Sequence, residues 1–260
     1  MNATVTATAH SVPDKIMTNS HLEAIVDTSD EWIRSRTGIV QRHVVDESEA
    51  TSDISTEIAK NLLAKRGIGP EEIDVIIVGT VTPDHFTPST AAIVQENINA
   101  KNAWGFDLSA ACSGFLYGLV TGANFIKSGQ HKKVMVIGVD TMTSILDFQD
   151  RDTCVIFGDG GGGVILEPTS YSYGIIDSIM RMDGSGGDYL IVPGGGSRIP
   201  ATIDSVKDRK HYIKQDGKTV FKHAVKGMAE VSEKILSNNN LTGKDVSLFI
   251  PHQANKRIID

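Results

Sequence analysis

The chain has 260 residues, long enough for a sizeable core in one large domain or two fused ones. Its 25 basic and 32 acidic residues leave a formal net charge of −7. This excludes broad nucleic-acid or membrane-surface binding, which needs a cationic face, but leaves room for a local basic patch. Cys112 and Cys154 form neither a CxxC pair nor a metal-ligand cluster, so a reducing, cytoplasmic compartment and no metal are expected. The start, "MNATVTATAHSVPDK", has no basic segment followed by an apolar run, so no signal peptide is expected. No apolar run approaches the ~20 residues of a membrane span.

In chain order, "SDISTEIAKNLLAKRG" places Ile54, Ile58 and Leu62 at i, i+4, i+8. That spacing predicts an amphipathic helix, with Ser52 as candidate N-cap and Gly67 as candidate stop. "IDVIIVGT" (Ile73 to Thr80) is a continuous apolar run, as expected of a strand buried on both faces. Ser89 to Ile98 reads as a helix, "AWGFDL" as a second strand, Ala110 to Lys127 as a second helix and "KVMVIGVD" as a third strand. Strands separated by helices imply βαβ units and a parallel sheet. The helix after Cys112 carries Phe115, Leu116, Leu119, Val120, Ala123, Phe125 and Ile126, which leaves little polar face and predicts burial at the centre of the fold. "RGIGPEEIDVIIVGT" lines up with "NNLTGKDVSLFIPHQ": an amphipathic helix, a turn, an acidic residue, then an apolar strand. This internal repeat predicts two similar halves, 1–170 and 171–260, with the second incomplete, because the counterpart of Cys112 would fall after Asp260.

Cys112 stands where a strand ends and a helix begins, after Ser109, Ala110 and Ala111. A helix N-terminus carries roughly +0.5 charge and free N–H groups, which favour a thiolate and an attacked carbonyl's oxyanion. The residue reads either as a nucleophile with a lowered pKa or as a small buried hydrophobe. "FIPHQANKR" puts His252 just past an apolar strand, at the edge where open α/β sheets bind ligands. It is either the base of a Cys–His pair or a satisfied loop histidine. "FGDGGGG" formally matches GxGxxG at Gly158, Gly160 and Gly163, but the strand-like "VILEP" follows where a helix should open, so a dinucleotide site is rejected. Those glycines are assigned to a tight turn or close backbone approach, as is "PGGGSR". Lys218, Lys222 and Lys226 recur every four residues, just after Lys207, Arg209, Lys210 and Lys214. They form a basic ridge that is either a dock for an acidic partner or phosphate, or a solvated face. Trp32 lies beside Arg34 and Arg36, an arrangement that could hold a purine and phosphates or simply pack.

Together, "TSDEWIRSRTGI", "DLSAACSGFLYGL", "DRDTCVIFGDGGGG" and "PHQANKRI" resemble, in order and spacing, the β-ketoacyl-acyl-carrier-protein synthase III family of the thiolase-like fold. The resemblance spans the whole chain. It implies an α/β fold of two similar halves with stacked mixed sheets around buried helices, and a homodimer. It implies that Cys112 takes an acyl group from acyl-CoA as a thioester and passes it to malonyl-acyl carrier protein with loss of carbon dioxide. His252 would hydrogen-bond the malonyl thioester oxygen. Trp32 and Arg151 would flank the CoA adenine, while Thr28, Arg36, Gly217, Phe221, Ala224 and Asn255 would line the CoA and pantetheine channel. Thr87 would shape the acyl pocket, and Lys222 and Arg257 would face the carrier protein. CoA enters as a thioester substrate, and no cofactor is implied. The family's third catalytic residue, an asparagine after the histidine, falls beyond Asp260, so a synthase lacking its C-terminal part is expected. Two alternatives remain: a secondary-metabolite acyltransferase of the same fold, and a non-catalytic fragment that binds CoA or carrier protein.

Overall fold

The computed structural model describes residues 2–259, which fall into two compact units. The first comprises Met1–Lys15, His43–Thr141 and Asp159–Ser178, and the second Ile16–Arg42, Met142–Gly158 and Ile179–Asp260.

The first unit is a five-stranded mixed sheet with helices on both faces. In chain order its elements are β1 (Asn2–Ser11), α1 (Thr51–Arg66), β2 (Val75–Gly79), α2 (Thr90–Asn97), β3 (Trp104–Leu108), α3 (Gly114–Lys127), β4 (Val134–Thr141) and β5 (Asp159–Thr169). The spatial order is β1-β5-β4-β2-β3. β2 runs parallel to both β3 and β4, as the alternating strands and helices predict. β5 is antiparallel to β4 and β1 to β5, so one side of the sheet is antiparallel. The apolar runs of β2 and β4 serve two cores at once. Ile76, Val78, Met135 and Ile137 meet Ile54, Ile58 and Leu62 of α1 on one face. Val75, Ile77, Val134 and Val136 meet Ala123 and Ile126 of α3 on the other. Successive side chains of a strand point to opposite faces, so only a run without polar breaks fills both.

Three expectations need correction here. Ser52 is not the cap of α1. The helix starts at Thr51 with Ala50 at the cap position, Asp53 Oδ2 accepts the Ala50 N–H (2.8 Å), and Ser52 Oγ donates to Asp84 (2.6 Å). The stop at Gly67 holds, in a left-handed conformation. The glycine run after Phe157 forms no tight turn: Gly160 to Gly163 lie inside β5. Close approach is their role, since a Cβ on Gly161 would sit 2.9 Å from Ile58 Cδ1 and one on Gly163 3.0 Å from Ile58 Cγ2. Finally, α3 is not buried all round. Its sheet-facing side is made of Gly114, Gly118, Gly122, Ala123 and Ile126, while Leu116 on the outer side is 59% exposed. Glycines bring the helix axis close to the sheet, Phe115, Leu119 and Phe125 pack partly buried beside them, and Leu116 is left facing out.

The second unit is built around a small core of Leu22, Ile33, Cys154 and Val155, flanked by Trp32 and Phe148. The Arg42 guanidinium is buried beside this core and donates to Asn19 Oδ1 (2.8 Å) and the Val155 carbonyl (3.2 Å). A 22-residue helix, Gly217–Asn238, is followed by a short 3-10 turn at Gly243–Asp245, which matches the first half of the expected repeat. The strand expected next is absent. Residues 246–253 form no strand, and Leu248, Phe249 and Ile250 are 75%, 61% and 74% exposed. A strand exists only where a neighbour accepts its hydrogen bonds, and none of the described strands pairs with this run. Among the described residues, no helix is long and apolar enough to cross a membrane.

Candidate active site

Cys112 follows the carboxyl end of β3. Asp107, on that strand, accepts the backbone N–H groups of Thr90 and Ala91 (2.7 and 2.8 Å), tying β3 to the start of α2. Beyond Leu108 the chain makes one 3-10 turn, Ala111–Ser113, before α3 starts at Gly114. Ala111 has φ +46°, a left-handed conformation that strains a residue with a Cβ by about 1–2 kcal/mol. Such strain concentrates where a side chain must be held in a set direction. Small neighbours leave Cys112 accessible from solvent, whereas Cys154 is buried, as a packed structural cysteine is.

The expectation of a lowered thiol pKa is overturned. The protein around the sulfur pushes the Cys112 pKa up, the Asp140 carboxylate raises it further, and the residue's own backbone hydrogen bond opposes them weakly. Desolvation and a like charge outweigh the helix N-terminus. Asp140, near the end of β4, was passed over in the sequence. Its signal was its place, an acidic residue closing an apolar strand at the sheet's carboxyl edge. Thr87, given to the acyl pocket, is exposed in the same unit, in the loop between β2 and α2.

In the second unit, Ser29 Oγ accepts the Trp32 N–H (3.1 Å) and caps the helix Asp30–Thr37. Arg36 lies one turn beyond Trp32 and is exposed. The Arg151 guanidinium stands 4.8 Å from the centre of the Trp32 ring and donates to the Asp27 carbonyl (2.9 Å). The sequence thus brings Trp32 and Arg151 together from positions more than a hundred residues apart. The neighbouring Thr28 Oγ1 is buried and has no hydrogen-bond partner among the described residues. Buried hydroxyls are normally satisfied, so this one suits a ligand atom.

Asp216 caps the long helix by accepting the Thr219 N–H (3.1 Å). Gly217, Phe221 and Ala224 follow at i, i+4, i+7 and share one side of it. Arg257 stacks over Phe221, 5.4 Å from the ring centre, and Asn255 Oδ1 accepts the Arg257 N–H (2.9 Å). Lys222 is exposed and lines an open cleft with Arg181, His223 and Lys226. Lys226 and Arg181 both pair with Glu230, so the basic ridge is partly neutralised. His252 lies in an irregular segment, not at a strand end. Desolvation pushes its pKa below the ordinary histidine value, which keeps the imidazole neutral.

Residues 106–184 match the family model for 3-oxoacyl-[acyl-carrier-protein (ACP)] synthase III. The chain is 56% identical over 262 residues to a β-ketoacyl-[acyl-carrier-protein] synthase III of Chlorobaculum tepidum, covering 100% of this chain and 80% of that protein. It is 57% identical to the protein of the same name from Chlorobium phaeovibrioides, with the same coverage. The crystal structure of 3-oxoacyl-[acyl-carrier-protein] synthase III from Aquifex aeolicus aligns with a TM-score of 0.90 at 41% identity, over 99% of this chain and 78% of that one.

Proposed function

Because the chain belongs to the β-ketoacyl-[acyl-carrier-protein] synthase III family, with its thiolase-like α/β fold, we propose that it catalyses the condensation that starts fatty acid synthesis. An acyl-CoA primer is the acyl donor and malonyl-acyl carrier protein the acceptor. The Cys112 sulfur attacks the thioester carbonyl of acyl-CoA, the carbon–sulfur bond to CoA breaks, and the thiol proton leaves with CoA. Malonyl-carrier protein then loses carbon dioxide, and its enolate carbon attacks the Cys112 thioester. The β-ketoacyl carrier protein forms and Cys112 takes up one proton.

The observation that carries this reading is the turn itself. Small residues and a strained Ala111 hold an accessible thiol at the carboxyl edge of a parallel sheet segment. A neutral His252 suits donation of an N–H to the malonyl thioester oxygen, where enolate charge develops. The Trp32–Arg151 pair offers an aromatic and a cationic plane for the adenine, and Thr28 a hydroxyl with no hydrogen-bond partner among the described residues. Arg36, Gly217, Phe221, Ala224 and Asn255 are assigned to the CoA and pantetheine channel, Thr87 to the acyl pocket, and Lys222 and Arg257 to carrier-protein docking. The edge strand β3 supports a homodimer: Trp104 is 46% exposed there, and a second copy paired along it would close the sheet edge. Two free cysteines suit the cytoplasm.

The test is product formation from acyl-CoA and malonyl-carrier protein, with native chain and Cys112→Ser compared. Carbon dioxide release and a β-ketoacyl carrier protein are expected from the native chain alone. Transfer of the acyl group to some other acceptor in preference to malonyl-carrier protein would overturn the assignment.

A further inference from the structure

Asp140 holds together the segments that enclose Cys112. Its Oδ1 accepts three hydrogen bonds, from the Thr80 hydroxyl (2.9 Å), the Val81 N–H (2.8 Å) and the Thr82 hydroxyl (3.1 Å). Thr80 also donates its N–H to the carbonyl of Leu108, the residue that ends β3 and leads into the Cys112 turn (3.2 Å). Thr82 Oγ1 accepts the Thr141 N–H (2.8 Å), and the Thr82 carbonyl accepts the Thr51 hydroxyl (2.5 Å). Just before Thr80, Gly79 lies against the backbone of Gly114, two residues after the cysteine. One carboxyl group thus ties the end of β4 to a loop that touches both the strand before Cys112 and the helix after it.

We propose that Asp140 is a positioning residue for the Cys112 nucleophile, fixing the Thr80–Thr82 loop against the cysteine turn. The inference rests on Cys112 being the nucleophile. A nearby carboxylate opposes a thiolate but is indifferent to a neutral thioester. It therefore keeps the resting sulfur as a thiol, slow towards stray electrophiles, and favours the acyl-enzyme over the free thiolate once an acyl group is offered.

Other titratable groups on the packed elements have their own partners or lie elsewhere. Asp107 on β3 holds the start of α2, Asp84 in the loop after β2 holds Ser52, and Asp159 on β5 holds the Val45 N–H. Glu167 on β5 and Arg66 on α1 pair with each other. His10 sits on β1, and Tyr117 and Lys127 on α3, while Asp53, Glu57, Lys60 and Lys65 lie along α1. After burial, the Asp140 carboxylate is the influence that raises the Cys112 pKa. Burial is the largest influence on Asp140 itself and raises its pKa against the bonds from Val81, Thr80 and Thr82.

The experiment is the rate of Cys112 alkylation by iodoacetamide as a function of pH, read by intact mass, with Cys112→Ser as the blank. Asp140→Asn keeps an acceptor oxygen for the three bonds and removes the charge, while Asp140→Ala removes both. The expected result is a midpoint moved to lower pH in both variants, with alkylation at neutral pH about three- to tenfold faster. Asp140→Ala should also melt at lower temperature. An Asp140→Asn profile that superimposes on the native one overturns the proposal, even if Asp140→Ala differs, because the residue would then be a structural tie alone. Alkylation needs no acyl-CoA, so failure of Cys112 to accept an acyl group would overturn the nucleophile reading separately.

Discussion

Gly79 at the end of β2 and Gly114 at the start of α3 lie backbone against backbone, and a Cβ on Gly79 would stand 2.8 Å from the Gly114 carbonyl carbon. That approach seats the first turn of α3 on the sheet and places Cys112 above its carboxyl edge. Both partners at the contact are backbone, so neither can swing aside. Gly79→Ala should destabilise the chain by about 1–3 kcal/mol through overpacking. It should also slow acylation of Cys112. Thermal melting and the acylation rate check the two effects, and a variant that melts and acylates like the native chain would show that the contact is not tight.

The Trp32–Arg151 pair leads to a prediction about CoA. Arg151→Ala removes the guanidinium from the ring and its tie to the Asp27 carbonyl. A cation–π contact at such a site contributes about 0.5–1 kcal/mol, so KM for acyl-CoA should rise about two- to fivefold. Acyl transfer from a short pantetheine thioester that lacks the adenine should not change. Steady-state kinetics with both donors separates a role in adenine binding from a general loss of structure.

His252 leads to a prediction about pH. Its folded pKa lies below the unfolded value of 6.5 because partial desolvation of an otherwise exposed ring disfavours the cation. The stability this neutral form contributes is present above 6.5 and is lost as pH falls through the folded pKa. Proton NMR titration, with His252→Asn used to assign the resonance, should give a midpoint under 6.5. A midpoint at or above that value would remove the argument that His252 donates as a neutral imidazole near neutral pH.

Much of the first unit was legible because its signals are strong. The unbroken apolar residues of β2 and β4 could fill two faces only as central strands, and Gly67 stops α1. Other features depend on what lies across from them, which periodicity does not report. The apolar stretch around α3 suggested full burial, but glycines seat only one side of the helix on the sheet and Leu116 faces out. Leu248 to Ile250 read as a strand from composition, yet no described strand pairs with them. β1 was overlooked because its buried residues are the small Ala3, Ala7 and Ala9, with a register shift between Val5 and Ala7. At the site, Cys112, His252 and Trp32 were found as residue types in suggestive settings. The Trp32–Arg151 stack needed the resemblance, and the Asp140–threonine network joins residues from three separate stretches.

Intact mass after incubation with acyl-CoA shows whether Cys112 carries the acyl group. One added acyl mass is expected on the native chain and none on Cys112→Ser, with the preferred chain length naming the primer. A folded chain that binds CoA and gains no acyl mass, or an adduct that persists in Cys112→Ser, would contradict it.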